Sequence, residues 1–296
     1  MASVAIDTAH PPRRGIPIAR LVLFALLGLF ALVYLLPFFI MVITSLKSLD
    51  EIRAGNLVAL PEVVTFQPWI DAWGKACIGV TCEGINGYFW NSVRMAVPAV
   101  TLSTLIGALN GYVVTKWRFP GADLIFALIL FGCFIPFQIV LIPMARVLGL
   151  IGLASSTSGL ILVHVIYGLC FTTLYFRNFY MAFPDELVKA AMIDGAGFFR
   201  IFFKILLPNS LPIIVVTVIW QFTNVWNDFL FGASFTGGGS QPITVALNNL
   251  VNSSTGVKEY NVHMAAAIIA ALPTLAVYVL AGRYFVRGLM AGAVKG

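Results

Sequence analysis

The chain has 296 residues and a formal net charge of +6, with 60% of its residues hydrophobic and only 10% charged. Its mean hydropathy of +0.95 excludes an ordinary soluble domain and predicts a membrane protein. The positive charge therefore does not indicate a nucleic-acid-binding protein, because membrane proteins accumulate Lys and Arg in their cytoplasmic loops.

Six largely uncharged runs follow one another along the chain, each long enough to cross a bilayer as a helix of about 20 residues. They are residues 21–43, 91–114, 124–145, 159–180, 213–231 and 263–284. We expect an all-α membrane protein in which residues 21–285 form one domain of six transmembrane helices. Residues 1–20 and 286–296 are expected to be cytoplasmic tails. The first run is too long for the apolar part of a signal peptide, so we expect it to be retained.

The distribution of the 18 basic residues indicates the orientation of these helices. Six spans place both termini on the same side of the membrane. If that side is cytoplasmic, it also holds most of the Lys and Arg residues, as membrane proteins generally require. We therefore predict an N-in and C-in, multi-pass protein. The basic residues on the inner side are Arg13, Arg14, Arg20, Lys116, Arg118, Arg177, Lys189, Arg200, Lys204, Arg283, Arg287 and Lys295.

The longest polar segment, residues 47–88, follows the first run and is external in this topology. It contains Cys77 and Cys82 in a compartment that permits disulfides. We favour a disulfide between these two cysteines over two free thiols. Cys133 and Cys170 fall inside apolar runs, where cysteine packs as a small apolar side chain.

Prolines and isolated polar residues distinguish the third and fourth runs. Pro136 and Pro143 interrupt the third run and predict bends in its helix. His164 and Tyr167 lie in the fourth run. We interpret them as packing residues, because a lone histidine on an apolar helix more often packs than binds a ligand.

Charged residues return between the fourth and fifth runs, in segment 183–212. Asp185 is a favourable N-cap and Gly195 suits the C′ position that ends a helix. A second, phenylalanine-rich helix is expected over residues 198–207, stopped by Pro208. The segment is therefore predicted to form two short helices joined by a turn, outside the hydrocarbon.

The fifth run carries polar residues on one side of its predicted helix, and the Gly- and Asn-rich residues 232–261 after it are expected to form a loop. Gln221, Asn224 and Asp228 stand at helical angles of about 0°, 300° and 340°. A carboxylate within a span must face protein or a water-filled path. This face either lines a solute route or forms a polar contact between helices, and the spacing leaves both interpretations open. The candidate route residues are Gln221, Asn224, Asn227 and Asp228.

The order Ala190-Ala191, three residues, Gly195, nine residues, Ile205, one residue and Leu207-Pro208 resembles the EAA loop of bacterial ABC importer permeases. In that family the loop docks the membrane subunit onto its ATPase subunits, so the resemblance implies this role for segment 183–212. Lys189 stands where the family has a glutamate, and Glu186, one turn earlier, is the candidate replacement. The implied coupling residues are Glu186, Lys189, Ala190, Ala191, Asp194, Gly195, Ile205, Leu207 and Pro208.

Two further stretches, residues 226–229 and 282–296, look like the carbohydrate, maltose-permease-type branch of that family. The resemblance implies the second, shorter permease of a pair in the bacterial inner membrane. Its implied partners are a homologous permease, two ATPase subunits that bind ATP and Mg, a periplasmic sugar-binding protein and membrane lipid. The chain itself would then be no enzyme and bind no cofactor or metal.

The same resemblance implies alternating access, with segment 183–212 moving as a rigid lever when the ATPases close. Trp220 or Trp226 could stack on a sugar ring in the candidate route. The few polar residues in the spans favour a small sugar, and a monosaccharide such as glucose is the expected substrate.

An ion-coupled secondary transporter of a small polar solute is the main alternative, and an intramembrane enzyme is the second. Secondary transporters carry ionisable residues within their spans. Here only Arg94, Asp123 and Asp228 approach the hydrocarbon, all near predicted span ends. The sequence contains no GxxxxGK[ST], HExxH or GxSxG motif, so neither nucleotide hydrolysis through a P-loop nor these hydrolase chemistries are indicated.

Overall fold

The computed structural model describes residues 18–56, 58–117, 119–252 and 257–293, the stretch 283–293 by backbone alone. This part of the chain is nearly all helical, apart from turns and one isolated bridge between Ile78 and Thr81, which confirms the all-α prediction. Residues 18–20 of the expected N-terminal tail begin the first helix, and residues 1–17 lie outside the described chain. The last helix runs to Ala293, so no helix end marks the expected boundary at 286.

The helices of the described residues are numbered in chain order. They are α1 (Ile18–Ser45), α2 (Leu49–Arg53), α3 (Gln67–Gly74), α4 (Asn86–Tyr112, continued by a π-helical turn Val113–Trp117), α5 (Ala122–Phe131), α6 (Phe137–Leu150), α7 (Thr157–Met181), α8 (Asp185–Ile193), α9 (Phe198–Asn209, with a π-helical turn Phe202–Leu206), α10 (Leu211–Trp226), α11 (Leu230–Phe235), α12 (Ile243–Asn252) and α13 (Tyr260–Ala293).

Four of these helices are long and apolar enough to cross a membrane alone: α1, α4 with its π-helical turn, α7, and residues Tyr260–Gly282 of α13. Two bent pairs, α5 with α6 and α9 with α10, have the composition of further crossings. The described chain therefore offers four crossings by single helices, or six if each bent pair crosses once.

The third predicted span is a broken helix rather than a single rod. Residues Ala122–Phe134 and Phe137–Leu150 meet at 107°. Pro136 lies at this break, where its fixed backbone and missing N–H end the first helix, as predicted. Pro143 lies inside α6 without ending it, so the second predicted bend does not break the helix.

The fifth predicted span is shorter than expected, and the loop expected after it is partly helical. α10 ends at Trp226 rather than at residue 231, and α11 and α12 occupy much of residues 230–252. The Ser92 hydroxyl of α4 accepts a hydrogen bond from the Ile243 N–H at 2.8 Å, which anchors the start of α12. The Gly- and Asn-rich sequence predicted a loop because contacts of this kind, made far along the chain, leave no local pattern.

α4 and α7 form the central helix pair. Gly107 and Gly111 face α7 so closely that added Cβ atoms would lie 2.2 Å from Thr172 Oγ1 and 2.7 Å from Phe176 Cβ. Glycine at both positions therefore allows near backbone contact between the two helices. By contrast, α1 is exposed along almost its whole length.

Candidate functional site

The two helices of segment 183–212 are joined by a well-formed C-terminal cap on α8. Gly195 has a φ of +75° and follows the C-cap residue Asp194. The Gly195 N–H bonds the Met192 carbonyl at 3.1 Å, and the Ala196 N–H bonds the Ala191 carbonyl at 2.9 Å. These two bonds define a Schellman motif, which places Gly195 at C′ as predicted.

The N-terminus of α8 differs by one residue from the prediction. Pro184, not Asp185, occupies the N-cap position, and no side chain caps the helix there. Asp185 and Glu186 instead lie in the first turn, where carboxylates are favoured by the helix dipole.

The predicted coupling residues divide between the two sides of the segment. Ala191 is buried together with Val188, and Ile205 and Leu207 are half-buried. The exposed members are Glu186, Lys189, Ala190, Asp194, Gly195 and Pro208. Large apolar side chains outside that predicted set are exposed beside them: Leu187, Met192, Ile193, Phe199 and Phe203.

The sequence predicted that Pro208 stops the second helix, but the helix continues past this residue. The preceding π-helical turn Phe202–Leu206 shifts the hydrogen-bond register, so that Pro208 falls in the first turn after the shift, where its missing N–H is tolerated. The helix ends at Asn209, and α10 leaves at an angle of 79°. The buried Ser210 hydroxyl at this corner donates to the Leu206 carbonyl at 2.6 Å and lies 3.0 Å from the Tyr180 hydroxyl.

A cavity of about 610 Å³ lies between α7 and the end of α10. All four candidate route residues line it: Gln221, Asn224, Asn227 and Asp228. Gln221 is buried and donates from Nε2 to the His164 carbonyl at 3.2 Å. Its approach to α7 requires a glycine, because a Cβ on Gly168 would lie 2.1 Å from Gln221 Nε2.

Asp228 does not lie on the same helical face as Gln221 and Asn224, which corrects the prediction. It follows the end of α10, so the helical period does not apply to it. Its carboxylate accepts hydrogen bonds from the N–H groups of Phe231 at 3.2 Å and Gly232 at 2.9 Å. Asp228 therefore caps the first turn of α11 from the residue before the N-cap.

His164 and Tyr167 were interpreted as packing residues, but both line the cavity. The His164 Nε2 atom and the Tyr167 hydroxyl are buried without a hydrogen-bond partner among the described residues. His164 Nε2 lies 3.6 Å from the Asp228 carboxylate, too far for a hydrogen bond. The only sequence signal that could have placed both side chains in one site is their separation by three residues in the helix of the fourth run.

The two candidate stacking tryptophans have different surroundings. Trp220 lines the cavity, with its ring centroid 4.5 Å from that of Phe171. Trp226 is buried on another side of α10 and donates from Nε1 to the Ala270 carbonyl of α13 at 2.9 Å. Trp226 therefore holds two helices together and is not placed to stack on a solute.

The two cysteines of segment 47–88 are bonded to each other. A disulfide joins Cys77 and Cys82, beside the bridge between Ile78 and Thr81. Cys133 and Cys170 are half-buried thiols near the end of α5 and in α7.

Comparison with known proteins places the chain in a family. Residues 99–290 match the family described as "Binding-protein-dependent transport system inner membrane component". A probable ABC transporter permease protein of Pyrococcus horikoshii is 39% identical over 284 residues, covering 96% of this chain and all of that protein. The xylose/arabinose import permease protein of Haloferax volcanii is 31% identical over 293 residues, covering 91% and 92% of the two chains.

The fold is similar to that of a solved ABC transporter chain. A bacterial ABC transporter involved in the import of the acidic polysaccharide alginate gives a TM-score of 0.78 at 19% identity, covering 94% of this chain and 100% of that chain. At this identity the likeness concerns the fold alone. The family match and the identity to the two permeases together show that the chain belongs to the binding-protein-dependent transport system inner membrane components.

Proposed function

We propose that the chain is a permease subunit of an ATP-driven ABC importer for sugars. It forms half of a translocation path with a second, homologous permease, and segment 183–212 docks it onto two ATPase subunits. The observation that carries the proposal is the segment itself, in which a capped helix with an exposed charged and apolar surface carries the EAA-type spacing. The sugar class is supported by the xylose/arabinose import permease among the relatives.

The exposed surface of α8 and α9 suits a protein groove. Ile193, Phe199 and Phe203 expose large apolar side chains beside the charged Glu186 and Lys189. Such an apolar surface on a helix favours insertion into a groove of a partner rather than contact with water. The ATPase subunit is the proposed occupant, and ATP and Mg bind to that subunit rather than to this chain. The N-in and C-in topology is the orientation that places the segment on the cytoplasmic side of the inner membrane.

The cavity between α7 and α10 is the proposed sugar route. It has the size of a small-molecule site and combines aromatic walls with amide, imidazole and phenol groups. His164 Nε2 and the Tyr167 hydroxyl, which have no hydrogen-bond partner within the described ranges, can each exchange hydrogen bonds with a sugar hydroxyl. Trp220 provides a ring face for stacking. We propose a neutral monosaccharide such as glucose, delivered by a periplasmic sugar-binding protein.

Uptake by the reconstituted transporter tests the proposal. Proteoliposomes containing the chain, its partner permease and the ATPases, supplied with the binding protein, are expected to accumulate labelled xylose, arabinose or glucose. Accumulation should require internal ATP, stop with vanadate and persist when ionophores dissipate ion gradients. Uptake by this chain without any ATPase, driven by an ion gradient, would instead establish the secondary transporter.

A further inference from the structure

A buried lysine at the end of α4, the helix of the second predicted span, contacts segment 183–212. Lys116 lies in the π-helical turn at the end of α4, and its side chain is only 5% exposed. Its Nζ donates to the Phe183 carbonyl at 2.6 Å and to the Asp185 carboxylate in the first turn of α8. A buried ammonium depends strongly on such partners, because removing one of them leaves an uncompensated charge away from water.

An aromatic cluster forms a second connection between α4 and the segment. The Tyr112 ring lies 4.8 Å from Phe198 and 5.9 Å from Phe202, measured between ring centroids. Trp117 lies 5.1 Å from Phe198. Tyr112 and Phe202 are both buried, so these rings join the end of α4 to α9 in a small separate core. α4 therefore contacts both helices of the segment.

Two cavities border the Lys116–Asp185 contact. Both residues line a cavity of about 610 Å³ on one side and a smaller one of about 210 Å³ on the other. The start of α8 is thus not packed tightly against the rest of the protein. The cavities leave room for α8 to rotate about the ion pair, while the pair keeps α8 attached to α4.

We propose that Lys116 is a positioning residue that couples α4 to the movement of segment 183–212. The segment is continuous with α7 and α10, but the ion pair and the aromatic cluster transmit its displacement to α4 as well. Because Gly107 and Gly111 bring α4 nearly into backbone contact with α7, the two helices then move together. The inference rests on the proposed function, since the displacement comes from the ATPase.

A charge swap tests this inference. Lys116→Asp and Asp185→Lys each place like charges together, and the double variant restores an ion pair in reverse order. Each single variant is expected to lower the amount of xylose, arabinose or glucose transported per ATP hydrolysed, because two like charges then face each other where the ion pair was. The double variant should recover part of this ratio, because the reversed ion pair forms again while an Asp at position 116 cannot donate to the Phe183 carbonyl. Lys116→Met, which keeps an apolar stem without the charge, gives a less disruptive single change and is expected to lower the ratio too.

Lys75→Asp is the matched control. Lys75 pairs with Asp71 at 3.1 Å, but its side chain is 67% exposed in the external segment, so reversal of its charge should leave the ratio unchanged. Co-purification of the ATPase with every variant shows that the assembly forms. A wild-type ratio in Lys116→Asp and Lys116→Met, or a double variant as impaired as the singles, overturns the inference while the proposed function stands. If no ATPase accompanies the wild-type chain, the proposed function fails and this inference fails with it.

Discussion

At the scale of single residues, Asp228 shows how a polar group near a route can serve the fold first. Its carboxylate receives two N–H groups of the first turn of α11, and its own carbonyl accepts a hydrogen bond from the Thr244 hydroxyl of α12. Asp228 thereby shapes the wall of the cavity that it lines. The neighbouring Asn227 is exposed, and its amide donates back to the Thr223 carbonyl at 2.9 Å.

These contacts predict different results for three substitutions. Asp228→Ala removes the cap and should lower the free energy of unfolding by about 1 kcal/mol. Asp228→Asn keeps one of the two acceptor oxygens, so one of the two N–H groups retains its partner and the loss of stability should be smaller than in Asp228→Ala. It should also retain most of the uptake. Asn227→Ala serves as the control and should leave thermal unfolding of the purified protein unchanged. A large loss of uptake in Asp228→Asn, with normal stability, would show that the negative charge itself serves transport.

Local chemistry made some of these positions predictable and left others hidden. Gly195 was correctly placed at C′, because the preference of a left-handed residue for glycine is a local property. The partner of Trp226 was not predictable, since the Ala270 carbonyl belongs to a helix 44 positions further along the chain. The same limit applies to Asp228, because α10 ends at Trp226, two residues before Asp228, although the apolar run extends to residue 231.

At the scale of elements, the composition identified the apolar helices but not their breaks. Pro136 correctly predicted a bend, but its position in the sequence did not predict the 107° angle between the two helices. Pro208 predicted the wrong helix end. The π-helical turn before it shifts the hydrogen-bond register, so no N–H donor is needed at position 208. α8 and α9, in contrast, follow the predicted pattern of helix, turn and helix, because caps and apolar periodicity are both local signals.

The angle between α8 and α9 depends on Gly195. A Cβ at this position would meet no atom within 4 Å, so the cost of substitution is the strain of a positive φ, about 1 kcal/mol or more for a β-branched residue. Gly195→Val should therefore change the angle, leave membrane insertion normal and strongly reduce ATP hydrolysis coupled to transport. ATP hydrolysis and sugar uptake in proteoliposomes measure this effect.

Gly197 offers the matched control for that substitution. It is also exposed and surrounded by open space, but its φ of −75° suits any residue. Gly197→Val weakens the N-cap of α9 but introduces no positive-φ strain, so it should transport like the wild type. Normal transport in Gly195→Val would show that the angle between the two helices does not carry the coupling.

At the scale of the whole molecule, the arrangement separates two regions along the helices. The cavity with Gln221, His164 and Tyr167 lies between α7 and α10. The exposed surface of α8 and α9 lies beyond the corner at Ser210, and α4 and α7 run between the two regions. This separation fits a transporter in which a partner hydrolyses ATP at one end while the solute passes between helices.

Site-specific cross-linking tests docking of an ATPase on segment 183–212 most directly. A photo-reactive amino acid replaces Ile193, whose side chain is exposed on α8, and membranes are irradiated before purification. The same amino acid at Val80, fully exposed in segment 47–88, which the proposed N-in and C-in topology places on the opposite side of the membrane, is the control. We expect an adduct between position 193 and an ATPase subunit, and none at position 80. Absence of that adduct at 193 while the transporter is intact, or an ATPase adduct at 80, would contradict the docking of the ATPase on this segment.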